Sequence, residues 1–188
     1  MDETRLIVFV AVFSALNFAV ASLNRYIPLG GALSGMGGIS PAHMVIDAIL
    51  CTAIMLTAAC AADRFGVASF IGVVTGILMV MATGAKPPAL VSWPIRGFVL
   101  DIVVFKIFSR HTSFKPYCIA AFLAFLLQTV VGKTLYLLIS MPAKIWVILL
   151  KSLFLPLALA GSVVSILGAY IAYKKLIPIT REVLMVGV

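Results

Sequence analysis

Long apolar runs, each followed by a short turn-rich stretch, occupy almost the whole chain and limit most strongly what it can fold into. A helix that crosses the hydrocarbon layer of a bilayer needs about 20 mainly apolar residues. Only 11% of the 188 residues are charged, whereas a soluble domain has about a quarter of its residues charged. So few charges cannot cover a water-soluble surface. We therefore predict a single transmembrane domain, residues 1–188, with no separate soluble domain.

The apolar runs predict six transmembrane helices and an all-α integral membrane bundle. Lipid cannot hydrogen-bond exposed backbone, so each span must satisfy its own polar groups, and the runs are too continuous for the alternating pattern of a barrel strand. The last run contains Pro156 and is longer than one crossing needs, which predicts a tilt or a kink. The predicted spans are residues 6–23, 42–62, 66–82, 91–108, 117–139 and 146–173.

The Lys and Arg residues near the span ends predict the orientation, because cytoplasmic loops keep the positive excess. An even number of spans puts both termini on one side, which holds eight of these cations against three on the other. We therefore expect cytoplasmic N and C termini in a multi-pass protein of the cell membrane. The net charge of +8 is a topology signal on this interpretation. No basic patch with interleaved aromatic residues favours nucleic-acid binding.

Five charged residues lie inside the predicted spans and are the first candidates for a functional site: Asp47, Arg96, Asp101, Lys133 and Lys151. Each costs about 2.5 to 3.5 kcal/mol at the centre of a helix, so such residues face a partner or a cavity. Counting along each span places all of them in the outer half of the bilayer. Either the two acids pair with two of the three cations, or the charges surround a ligand.

Helical spacing groups other side chains around these charges. Residues three or four apart share a helix face: Trp93, Arg96 and Gly97 with Asp101 on the fourth span, and Thr129, Lys133 and Tyr136 on the fifth. These faces predict the wall of a substrate pocket, to which Asp47 and Lys151 would also contribute. An interfacial aromatic belt would explain Trp93 and Tyr136 equally well.

The outer loops are the candidate cover of such a pocket. Residues 24–41 form a glycine-rich connection that is longer than a turn requires, and the prolines predicted in outer loops are Pro87, Pro88, Pro94 and Pro142. Outer loops commonly fold over a cavity and close it. The alternative is a merely flexible connection.

Small residues recur every four positions on two spans. Ala11, Ala15 and Ala19 form a stripe on the first span, and Gly72 with Gly76 repeats the pattern on the third. Such stripes let another helix approach closely. They indicate either docking of a partner protein or packing inside the bundle.

Motifs for other functions are absent from the sequence. Neither Gly-x-Ser-Gly nor Gly-x-Gly-Asp occurs, and Gly132-Lys133-Thr134 lacks the earlier glycine of a phosphate-binding loop, since Leu127 stands there. The cysteines, Cys51, Cys60 and Cys118, have no metal-ligand spacing. We predict that the chain is not an enzyme and has no cofactor and no metal.

The chain length, the six spans and the Ala11 and Ala15 of AVFSA, with Ala19 one repeat further, resemble the substrate-binding S components of energy-coupling factor (ECF) vitamin transporters. The resemblance implies that the stripe docks on a transmembrane coupling subunit. It also implies a substrate site near the outer face, formed by the later helices and capped by outer loops. Related S components for nickel and cobalt carry a histidine directly after the initiator Met, where this chain has Asp2.

The resemblance further implies a protein that binds a vitamin or vitamin precursor from outside, while ATP hydrolysis in partner subunits drives uptake. The cations in the outer half favour a ligand with a carboxylate or phosphate, because a buried cation is stabilised by an anion. A membrane scaffold that binds no small molecule would use the alanine stripe equally well. An intramembrane enzyme is the less favoured alternative.

Overall fold

The computed structural model describes residues 3–26, 41–83, 87–108, 113–140, 148 and 154–186. Across these ranges the chain is helical and contains no strand. Its helices number six, which confirms the predicted all-α fold and the predicted helix count.

The helices follow the apolar runs closely. Their bounds are α1, Glu3–Tyr26; α2, Pro41–Ile46, π-helical Asp47–Cys51 and Thr52–Ala62; α3, Val67–Thr83; α4, Ala89–Asp101 and π-helical Ile102–Ile107; α5, Lys115–Ser140; and α6, Leu155–Ile171, π-helical Ala172–Leu176 and Ile177–Val186. The π-helical stretches of α2, α4 and α6 are wider turns, a feature that is often found at functional sites.

Four helical segments are long and apolar enough to cross a membrane: Glu3–Leu23, Met44–Ala62, Lys115–Ile139 and Leu155–Leu184. The third helix contributes a shorter apolar stretch, Val67–Ala82. The helix between residues 89 and 107 carries Arg96, Asp101 and Lys106. Arg96 and Asp101 are buried, whereas Lys106 is exposed, so this helix depends on the rest of the bundle to enclose the first two charges.

The last helix extends further than predicted. It continues to Val186, well beyond the predicted end at residue 173. Pro156 stands near the beginning of the segment Leu155–Ile171, which directly follows the π-helical Phe154. A further irregular stretch is the π-helical turn Ala172–Leu176. The tilt or kink at Pro156 stays a prediction.

Glycine residues bring α3 and α4 into backbone contact. A Cβ added at Gly76 would stand 2.9 Å from the carbonyl oxygen of Ala89, and one added at Gly97 would overlap the backbone of Ala68. Gly72 meets the carbonyl of Trp93 in the same way. The small residues of α3 thus pack inside the bundle, which settles the two alternatives for Gly72 and Gly76.

The alanine stripe of α1 points the other way. Ala11, Ala15 and Ala19 are exposed on the surface of the bundle. The buried face of α1 carries Asn17, whose Nδ2 donates to Thr75 Oγ1 on α3 at 2.9 Å. The small stripe is therefore left free of contacts within the described part of the bundle that would bury it.

One end of the bundle is formed by the ends of α2, α4 and α6 and the starts of α1 and α3. The chain turns after α2 at Asp63, which adopts a left-handed conformation with φ 51°. Arg181 of α6 donates to the carbonyl of Cys60 at 2.7 Å, where a cation is favourable because helix C-termini carry free carbonyls. The start of α3 meets the end of α4 at the same level. This end also holds the start of α1, because Leu6 and Arg64 line one groove.

Candidate functional site

Arg96 is the centre of a polar cluster that joins α2, α4 and α5. Its side chain is fully buried, and its Nη1 donates to Asp47 Oδ1 and to Gln128 Oε1, each at 2.9 Å. Nη2 donates to the backbone carbonyl of Asp47 at 2.9 Å and to Thr52 Oγ1. Both terminal nitrogens of the guanidinium are therefore held by protein groups on two other helices.

Two aromatic rings enclose the same guanidinium. Its Cζ lies 5.5 Å from the ring centroid of Trp93 and 5.3 Å from that of Phe125, within the range of a cation–π interaction. Trp93 is only 7% exposed, so it belongs to this enclosed cluster and not to an aromatic belt at the membrane surface. Among the described residues, the Nε of Arg96 has no hydrogen-bond partner.

The backbone around the cluster departs from regular α-helix on both sides. Asp47 begins the π-helical stretch Asp47–Cys51 and supplies both a carboxylate and a carbonyl oxygen to Arg96. Pro94, which the sequence assigned to an outer loop, lies inside α4. That assignment was wrong, because the helix already begins at Ala89. Proline in a helix interior removes one backbone hydrogen bond, so Trp93 and Arg96 flank an irregular turn.

Asp101 lies apart from Arg96. Its Oδ2 accepts from the backbone N–H of Ser69 at 2.8 Å and from Ser69 Oγ at 2.6 Å, and its Oδ1 accepts from the N–H of Ala68 at 3.4 Å. These are N–H groups of the first turn of α3, which have no partner inside their own helix. Asp101 therefore caps the beginning of α3.

These contacts separate Asp101 from the charges with which the sequence grouped it, and its depth in a bilayer stays a prediction. The sequence placed it in the outer half of the bilayer, beside Arg96, because it lies near the middle of the fourth apolar run. The structure puts it against the start of α3, next to the turn that the topology prediction assigns to the cytoplasmic side. The reason is that α3 begins only at Val67 and so offers its free N–H groups at that level. Its role as a substrate-binding residue stays a prediction.

The predicted face of the fifth span lies on α5. Thr129, Lys133 and Tyr136 are all half-buried. The Nζ of Lys133 lies 5.9 Å from the ring centroid of Phe154, the residue that directly precedes the helical segment Leu155–Ile171. This face therefore borders α6. On α5, Lys133 lies more than one helical turn after Gln128 of the Arg96 cluster.

Part of the predicted site falls on residues that the structure does not describe. Lys151 and Pro142 lie outside the described residues, as does the central portion of the glycine-rich connection, residues 27–40. Their contribution to a pocket or to its cover stays a prediction.

Three members of the Arg96 cluster were missed from the sequence. Gln128, Thr52 and Phe125 hold the guanidinium as directly as Asp47 does. The available signal was Gln128, an amide in the middle of a long apolar run, since uncharged polar groups inside a span also seek partners on other helices. Thr52 and Phe125 carry no comparable signal, because both residue types are ordinary in apolar helices.

The Arg96 cluster is a buried charge whose terminal nitrogens are already bonded to protein groups. The guanidinium can bind an anion only if it gives up bonds to Asp47, Gln128 or Thr52, or through its Nε. Within the described ranges no group of three or more His, Cys, Asp or Glu side chains is arranged to hold a metal ion. Lys133 is the other described cation of the predicted site, and it interacts electrostatically with Asp47 of the same cluster.

The fold and the cluster define a class: a helical membrane protein with a polar core between its helices. No protein-family model, no curated protein and no solved structure matches this chain.

Proposed function

We propose that the chain is the substrate-binding S component of an ECF-type importer. It lies in the cell membrane with six crossings and cytoplasmic termini, and it binds a vitamin or vitamin precursor at the outer face. ATP hydrolysis in partner subunits then drives uptake of this solute. The chain itself catalyses no reaction on this proposal.

The observation that carries the proposal is the direction of the alanine stripe. Ala11, Ala15 and Ala19 are exposed, whereas the glycine pair of α3 is used inside the bundle, where Gly72 and Gly76 meet the backbone of α4. A stripe of small side chains that the described helices leave uncovered allows a helix of another protein to approach closely. An S component needs such a surface for its coupling subunit.

The substrate would bind between α5 and α6, with Lys133 as its main cation. Arg96 is already held by Asp47 and Gln128, so its function would be to keep α2, α4 and α5 together as a rigid wall. Lys133 and Tyr136 are half-buried on the neighbouring face, and Lys151 would add a second cation. A cation in a site of low dielectric constant favours a ligand with a carboxylate or phosphate.

Ligand binding is tested by native mass spectrometry of the purified protein, alone and with a panel of water-soluble vitamins and their precursors. The expected result is one bound compound that carries an acidic group. Repeated spectra without a bound compound, together with no thermal stabilisation by any member of the panel, would refute the S-component assignment.

Partner docking is tested with Ala15→Leu, which places a large side chain in the stripe. We expect loss of co-purification with the coupling subunit and unchanged binding of the panel compound. Ala160→Leu is the matched control, because Ala160 is also exposed, but on α6. Equal co-purification of both variants would show that the stripe is not the docking surface.

A membrane scaffold that binds other membrane proteins, and no small molecule, is the second candidate. The observation that favours it is the internal use of two predicted site charges: both terminal nitrogens of Arg96 are bonded to protein groups, and Asp101 caps α3. The vitamin panel separates the two functions, because a scaffold keeps the stripe-dependent docking and binds no member of the panel.

A further inference from the structure

A long groove lies on the surface of the bundle between α1 and α3. Its volume is about 550 Å³. Ala11 and Ser14 of α1 line one side, and Phe70 and Val74 of α3 line the other. The groove is open to the outside of the bundle, since the side chain of Phe70 is 58% exposed. It is lined mainly by apolar side chains.

The length of the groove matches one leaflet of a bilayer. On α3 its lining extends from Val67 to Leu78, and at 1.5 Å per residue this is about 17 Å. Half of a hydrocarbon layer of roughly 30 Å is about 15 Å. A groove of this length accommodates an acyl chain that begins at the membrane surface and ends near the bilayer centre.

A cation stands at the end of the groove near the membrane surface. Arg64 is exposed and is the charged residue among those that line the groove. It lies in the turn before α3, next to Phe65 and Gly66, which also line the groove. A guanidinium binds phosphate with a fork of parallel hydrogen bonds, and basic residues between helices at the membrane surface bind anionic head groups.

We propose that this groove is a binding site for one anionic phospholipid, with an acyl chain between α1 and α3 and its phosphate at Arg64. The apolar length and the terminal cation Arg64 match the two parts of such a molecule, and Lys106, whose Nζ lies 5.5 Å from the ring centroid of Phe65, adds positive charge at the same end. The inference goes beyond the proposed function and holds equally for a transporter component and a scaffold. Ala11 and Ala15 line the groove while Ala19 does not, so the lipid would cover two residues of the stripe, and a helix docked there would contact or displace it.

Native mass spectrometry of the protein released from nanodiscs tests this site. Nanodiscs contain equal amounts of phosphatidylglycerol and phosphatidylcholine with identical acyl chains. We expect one retained phosphatidylglycerol on the wild-type chain. Val74→Trp fills the groove and should abolish retention, with Val74→Phe as a milder filling if tryptophan prevents folding. Val73→Trp is the matched control, because Val73 is exposed on the same helix but does not line the groove.

The head-group contact is tested with Arg64→Gln, which should lower the preference for phosphatidylglycerol over phosphatidylcholine about fivefold, the effect of one cation at an anionic surface. Arg64→Lys should keep most of the preference. Equal retention by the Val74 and Val73 variants would overturn the groove as the lipid site. Equal retention of both lipids by the wild type would overturn the assignment of an anionic head group.

Discussion

Arg96 of α4 and Asp47 of α2 form an ion pair inside the bundle, with Nη1 and Oδ1 2.9 Å apart. The side chain of Arg96 is completely buried, and that of Asp47 is 18% exposed. Two residues 49 positions apart in the chain are thereby joined in an environment of low dielectric constant. Such a pair contributes little net stability compared with apolar residues, but either partner alone is strongly unfavourable.

This relationship predicts an asymmetry between single and double substitutions. Asp47→Leu leaves the buried guanidinium without its counter-ion, and Arg96→Met leaves the carboxylate without its cation. Each should lower the free energy of unfolding by about 3 to 5 kcal/mol. The double variant should be more stable than either single variant. The measurement is SDS-induced unfolding of the protein in lipid bicelles.

Lys175→Met is the matched control for Arg96→Met, because Lys175 is an exposed cation on α6. Its effect should stay within about 0.5 kcal/mol. If the double variant loses as much stability as the two single variants together, the residues act independently and the ion pair is not the reason for their effect.

Asp101 should stabilise the bundle through the beginning of α3. Asp101→Ala removes the acceptor for the N–H groups of Ser69 and Ala68 and should lower the free energy of unfolding by about 1 to 3 kcal/mol. Asp101→Asn keeps one acceptor oxygen and should lose less. Hydrogen exchange measured by mass spectrometry should show faster exchange confined to the first turn of α3.

The matched control is Glu182→Gln, an acid-to-amide change at an exposed position of α6, which should leave exchange in α3 unchanged. Normal protection of α3 in Asp101→Ala would show that the cap does not hold this helix end.

Gly97 should tolerate no side chain. A Cβ at this position overlaps the backbone of Ala68 and would stand 2.7 Å from the Cα of Ser69, so α3 and α4 would have to separate. Gly97→Ala should cost about 1 to 3 kcal/mol or more. Gly132→Ala is the milder comparison, because its Cβ would stand 2.9 Å from the Cβ of Ser92 but would overlap no backbone atom of another helix. Thermal unfolding measures both variants, and Gly97→Ala should have the lower melting temperature. Equal melting temperatures would contradict the prediction.

Lys133 should determine the affinity for an acidic ligand. Lys133→Met removes the charge but keeps a long apolar side chain, and it should weaken binding about 30-fold or more, the cost of leaving a buried anion unpaired. The measurement is isothermal titration with the vitamin-panel compound that binds the wild type. Lys106→Met is the matched control, since Lys106 is exposed near the opposite end of the bundle. Equal affinities would remove Lys133 from the site.

Much of the fold could be predicted because helix formation in a membrane depends on local sequence. Apolar runs located the helices, and the first three predicted spans lie within helices that begin at Glu3, Pro41 and near Val67. The end of the last helix could not be predicted from the apolar pattern. Its continuation to Val186 lies beyond the apolar run and is held by Arg181 on the end of α2, a contact with a partner far away in the chain.

The candidate site was predictable in its charges but not in its pairing. Asp47 and Arg96 were identified as intramembrane charges that need partners, and the structure joins them. Asp101 looked like a third member because it shares a buried face of α4 with Arg96. Helical spacing assigns the face but not the neighbour that meets it, and the neighbour of Asp101 is the start of α3.

By itself, the sequence determined that the chain is helical, that it has six helices and that its charged residues inside the apolar runs need partners. These properties follow from the cost of exposing backbone and charge to hydrocarbon, which each segment must meet on its own. Only the tertiary structure decided that the alanines of α1 face outward, that the glycines of α3 face inward, and that Arg96 binds Asp47 and Gln128. The physical reason is that such contacts depend on how each helix is rotated against its neighbours, which is set by packing across the whole bundle.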